Sequence, residues 1–242
     1  MAYEPSPYQP SPPGMGESKH LMVEGLRKVE NALLISIIAD LLVVAAVFAG
    51  LGVFLTSMGG NSADVLASAI AGAVTAGIIF LLALILGIVS FVYLYRGMDT
   101  LGAADPQLKI GSTGVKLSLG GMILFLLSFL MLIPAAMSQS LAGVMAAVPL
   151  LFFGVILLFV GGIMLLIAFW RLGNMEDGSL IHIGVILIIL GGLLATTKIG
   201  GILSFIGTIL VYIGVKNLRE KMEAGSAAPG PSTTPLAQPG PY

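Results

Sequence analysis

The chain has 242 residues, of which 57% are hydrophobic and only 10% charged, with a formal net charge of −1. Soluble domains carry roughly a quarter charged residues, so this composition cannot cover a water-facing surface, and without a clustered basic face the chain is not read as a nucleic-acid binder. There is no cysteine, and His20 and His182 are the only histidines, which excludes disulfides, thiolate metal sites and thiol catalysis and leaves little for a haem or a His-rich metal site; no cofactor is expected.

Residues 1–17 are of low complexity: Tyr3-Glu4-Pro5-Ser6-Pro7 is followed directly by Tyr8-Gln9-Pro10-Ser11-Pro12. Proline fixes φ and lacks an amide proton, so an extended, disordered tail is expected. No apolar stretch begins before residue 32, which argues against a signal peptide. Residues 224–242, with Pro229-Gly230-Pro231 and Pro239-Gly240-Pro241, read the same way. A solvated tail is the plain reading and a Pro-rich partner ligand the sharper one.

Between the tails, residues 18–223 form the expected membrane domain. A short amphipathic helix should lead in, because Met22, Leu26, Val29 and Leu33 share a face and Glu24 and Lys28 form an i,i+4 pair. A cytoplasmic surface helix joined to the first span fits this pattern. About 20 apolar residues cross the hydrocarbon core, and six stretches qualify: 32–55, 66–95, 117–133, 150–170, 180–195 and 200–218. The third should stop at Pro134, and the fourth should start at Leu150 with Pro149 in its first turn. Only Thr196-Thr197-Lys198 separates the last two, so they read as two short spans with Lys198 snorkelling to the interface.

Lys and Arg sort by side. Lys19, Arg27, Lys28, Arg96, Lys109, Lys116, Arg171, Lys216, Arg219 and Lys221 fall on one side, and Lys198 alone on the other. The side richer in Lys and Arg stays in the cytoplasm, which places both termini there in a cell-membrane protein. The fold class is an all-α polytopic membrane helix bundle of six transmembrane helices.

Three spans leave for the basic side through similar chemistry: Tyr93-Leu94-Tyr95-Arg96, Phe169-Trp170-Arg171 and Tyr212-Ile213-Gly214-Val215-Lys216. Aromatic–basic anchors are general at interfaces; the alternative is a tandem array of three helical hairpins. Small residues line the sixth span at Gly200, Ser204, Gly207 or Thr208, and Gly214, with Val211 the one exception, and the second at Ala69, Ala73 and Gly77. Such stripes serve packing within the chain, or association with a second copy or another membrane protein. The lipid bilayer itself is the one partner composition requires.

No enzyme motif is present: no paired intramembrane carboxylates, His-Glu-x-x-His, GxSxG or phosphate loop. Asp40 interrupts the first span about 5 Å short of its midpoint. Ser36 lies one turn earlier on the same face, and Ser90, Ser128 and Thr208 lie at similar depth on other spans. No Lys, Arg or His does. An acid without a counter-ion in low dielectric is held neutral and hydrogen-bonds a hydroxyl; the functional alternative is a proton or cation site. His182, beside Glu176 and Asp177, reads as an interfacial cap rather than a metal ligand.

The run Glu24-Gly25-Leu26-Arg27, the Gly-rich spans and the recurring Lys109-Ile110-Gly111 and Lys198-Ile199-Gly200 resemble uncharacterised archaeal multipass membrane proteins classed as domains of unknown function. The resemblance covers about residues 20–220, leaves out the Pro-rich tails and implies a membrane class without an activity. The expectation is a non-catalytic scaffold or accessory membrane subunit, with a small-solute or proton transporter depending on Asp40 as the alternative.

Overall fold

The computed structural model describes residues 15–57, 62–138, 141–175, 178–194 and 197–227. They form six α-helices: α1 (Met15–Ser57), α2 (Ser62–Ala104), α3 (Lys109–Met137), α4 (Leu141–Gly173), α5 (Ser179–Leu193) and α6 (Lys198–Ala227), with a 3-10 turn at Pro106–Leu108 before α3. There is no strand among the described residues, and the all-α helical bundle stands. All but α5 are long and apolar enough to cross a membrane. α5 has 15 residues, about 22 Å at 1.5 Å per residue, against a hydrocarbon core of about 30 Å.

Several boundaries differ from the sequence reading. The amphipathic lead-in is no separate surface helix: α1 runs unbroken from Met15. Gly25, within the lead-in, lies against α2, where a Cβ would stand 2.7 Å from the Leu101 side chain. Pro134 does not end α3, which continues to Met137. In the last turn a proline forfeits a single backbone bond, and both the amide and the hydroxyl of Ser138 donate to the Pro134 carbonyl, at 2.9 and 2.8 Å. Pro149 lies inside α4 rather than at its start, a placement membrane helices tolerate. α1 and α6 also extend to residues 15–17 and 224–227 of the expected tails; the rest of both tails lies outside the described residues.

Each helix packs on its neighbours in the chain, and α6 packs back on α1. The six therefore close a ring in sequence order, built of three antiparallel hairpins: α1–α2, α3–α4 and α5–α6. Within each hairpin the seam is a row of small buried residues seven apart. α1 offers Gly25, Ala32, Ala39 and Ala46; α2 offers Ala83, Ser90 and Gly97; α3 offers Gly114 and Gly121; α4 offers Ala147, Gly154, Gly161 and Ala168; α5 offers Gly184 and Gly191; α6 offers Gly200, Gly207 and Gly214. A seven-residue repeat keeps one stripe facing one partner along a left-handed crossing. Lipid does not drive apolar helices together, so close backbone approach has to. That approach is visible: a Cβ on Gly121 would lie 2.7 Å from the Gly154 carbonyl oxygen, and one on Gly184 2.7 Å from that of Gly207.

The large apolar core sits at the end of the ring that carries most of the charges. Leu26, Val29, Met98, Leu101, Leu108, Val115, Leu172, Ile181, Val185, Val211, Val215 and Leu218 form one buried cluster to which all five long helices and α5 contribute. Its position follows from the solvent: near water, burying leucine is favourable, whereas within lipid it gains nothing. Polar and ring contacts fasten the three boundaries between hairpins at this end. Between α2 and α3, Ser112 Oγ donates to Asp99 Oδ1 (3.2 Å) and Lys116 Nζ lies 5.2 Å from the Tyr95 ring centre. Between α4 and α5, the Trp170 and His182 rings meet edge to face at 4.5 Å. Between α6 and α1, Arg219 Nε lies 2.9 Å from Glu30 Oε2, with the two side chains only 16% and 12% exposed.

Candidate functional site

Asp40 lies on the stripe of α1 that packs the core. It follows Leu33 by seven residues and Leu26 by fourteen, so the three side chains project from nearly the same line of the helix. Ten residues beyond Glu30, Asp40 stands about 15 Å deeper along the helix axis. The stripe opens onto a cavity of about 380 Å³, to which α1 contributes Ser36 and Val43, α2 Phe80, Gly87 and Phe91, and α3 Phe125.

Asp40 is exposed and is one of the residues that line this space. Among the described residues it has no hydrogen bond or ion pair. Of the four hydroxyls singled out at its depth, Ser36 and Ser90 line the same cavity, but the Ser90 hydroxyl donates to the Ala32 carbonyl at 2.8 Å and thereby clips α2 to α1. Ser128 and Thr208 lie elsewhere and donate within their own helices, to Leu124 (2.8 Å) and Ser204 (3.0 Å). Equal depth did not make them neighbours. Phe80, Phe91 and Phe125, which sequence reasoning passed over, line the same cavity as Asp40.

A Cβ on Gly87 would meet nothing within 4 Å, so this glycine leaves room in the cavity rather than bringing two helices together. The same holds for Gly77, the described member of the second-span stripe; Ala69 and Ala73 have side chains outside the described set. The sixth-span stripe behaves differently, since Gly200, Gly207 and Gly214 all press on α5 or the turn before α6. It is used within the chain.

His182, at the start of α5, is held by its own surroundings: Nε2 lies 3.1 Å from Asn174 Oδ1, the ring packs on Trp170, and Gly173 leaves the space it fills. Glu176 and Asp177, its sequence neighbours, lie outside the described residues, as does the Lys198 side chain. Among the described residues no three His, Asp or Glu side chains converge as a metal site.

A second, largely apolar groove of about 670 Å³ separates α4 from α5 along Phe159, Ile163, Trp170, Ile189 and Leu193. It holds no group capable of acid–base or nucleophilic chemistry.

The family described as "Protein of unknown function (DUF973)" matches residues 22–240, and the chain belongs to it. The match runs into the C-terminal Pro/Gly-rich segment, which the sequence resemblance had left out. No curated protein and no solved structure matches the chain.

Proposed function

We propose that this membrane protein is a non-catalytic scaffold or accessory subunit of the cell membrane, with both termini cytoplasmic. The observation that carries the reading is the apolar plug at the charged end. Side chains from all six helices fill it, packing that favours a scaffold over a conduit. The seams support it further, because glycines in backbone contact resist the rearrangement that alternating access needs. Sealed proteoliposomes under a pH gradient test the reading, with no protein-dependent proton flux expected.

One observation favours a second reading, a small-solute or proton transporter. Asp40 lies on the inner stripe of the bundle, where intramembrane acids mark pathways. Flux that an intact Asp40→Asn protein loses would replace the scaffold with this transporter.

A further inference from the structure

We infer that the cavity beside Asp40 binds a lipophilic organic cation, with its charge against the Asp40 carboxylate and its apolar body among Phe80, Phe91 and Phe125. The volume, about 380 Å³, falls in the range of about 300–1,000 Å³ typical of small-molecule pockets, which combine apolar and aromatic walls with few polar groups. Here the polar groups are few indeed: Ser36, Asp40 and Ser90. Ser90 is already engaged with the Ala32 carbonyl, so Asp40 is the one group able to fix a ligand's charge.

Charge complementarity selects the class. No Lys, Arg or His is among the residues that line the cavity, so a counter-charge for Asp40 would come from the ligand. Aromatic faces attract cations as well as apolar groups, and three rings line one small cavity. An inorganic cation would find a single carboxylate and no cage of oxygens, too few ligands for Ca²⁺ or Mg²⁺. A lipid amine is excluded by position: headgroups stay at the interface, about 15 Å from Asp40 by the helix rise from Glu30. Gly87, with open space where its Cβ would be, and the small Ala39 and Ala83 keep the cavity wide enough for a bulky ion.

The inference goes beyond the scaffold reading and does not depend on it, since binding without flux leaves both standing. The test is calorimetric titration of the full chain in maltoside micelles with tetraphenylphosphonium, a permanent cation bearing four phenyl rings. Saturable binding of one ion per chain is expected. Asp40→Asn should weaken it about tenfold, equivalent to about 1.4 kcal/mol, and Phe125→Leu should weaken it as well. Asp40→Glu, which keeps the charge, should retain it. Neutral triphenylphosphine oxide should neither bind nor compete. Equal binding of the neutral compound, undiminished binding to Asp40→Asn, or loss of binding in a folded Asp40→Glu protein would each overturn the inference. Thermal melting of every variant separates lost binding from lost fold.

Discussion

Two glycines of α6, six residues apart, should respond oppositely to the same substitution. At Gly207 an added Cβ would stand 2.7 Å from the Gly184 carbonyl oxygen, 2.8 Å from Ile188 Cγ1 and 2.9 Å from the Ile188 nitrogen. Ordinary van der Waals contact begins at 3.4 Å, so α5 and α6 must part by about 0.7 Å at this level. Backbone atoms cannot swing aside as the end of a side chain can. A gap of that size forfeits a quarter to a half of each contact's attraction nearby, and overpacking of this kind costs about 1–3 kcal/mol. Alanine returns about 0.5–1 kcal/mol of helix preference over glycine, leaving a net loss of up to about 2.5 kcal/mol for Gly207→Ala. At Gly201 an added Cβ meets nothing within 4 Å, so only the helix preference remains and Gly201→Ala should stabilise by about 0.5–1 kcal/mol. Unfolding in maltoside micelles titrated with dodecyl sulfate, followed by helical circular dichroism, measures both. A Gly207→Ala protein at least as stable as wild type would refute the claim that backbone contact builds the hairpin seam.

The Glu30–Arg219 pair should behave as a clasp: Arg219→Ala or Glu30→Gln each lose about 1–3 kcal/mol, with a double-mutant coupling of at least about 1 kcal/mol, measured in the same titration. Asp40→Leu should leave the purified protein as stable as wild type or more so, because it removes a polar group that has no partner among the described residues; a lower melting temperature would reveal a bond the structure lacks. Single cysteines report orientation cleanly in a chain with none of its own. Ser138→Cys should react with an impermeant thiol reagent on intact cells, and Gln107→Cys only after permeabilisation; the reverse pattern would invert the topology.

Much of this architecture is legible in the sequence, and the gaps have definite causes. Helix class and most span positions follow from runs of apolar residues, since in lipid nothing else satisfies the backbone. Pro149 misleads because the proline rule is calibrated on helices in water, and Pro134 because a proline in the last turn forfeits only one backbone bond. Of the two small-residue stripes legible in the sequence, the sixth-span one contains the seam glycines, whereas the second-span one runs at four-residue spacing through Ala69, Ala73 and Gly77, and Gly77 has open space beside it. The spacing that brings backbones together is seven, as in Gly200, Gly207 and Gly214, and a four-residue stripe drifts round the helix away from its partner. Asp40 stood out as an acid in hydrocarbon, but its surroundings did not. Depth along a span is countable, whereas direction around the ring depends on which helices adjoin. Its direction could have been found by extending the Met22, Leu26, Val29, Leu33 stripe one heptad further, which lands on Ser36 and Asp40. The cavity-lining phenylalanines carry no such signal, because apolar rings are equally at home against lipid.

The closure of the ring by α6 on α1 has a temporal meaning. Each hairpin joins helices adjacent in sequence, so each can form as soon as its second helix is made. The Glu30–Arg219 contact, by contrast, joins residues near opposite ends of the chain. During synthesis from the N-terminus, Leu26 and Val29 wait without the Val215 and Leu218 that complete their cluster until α6 is made. Until that last step the incomplete ring keeps two unpaired flanks, on α1 and on the newest helix, and these flanks are where a chaperone or a second nascent chain would act.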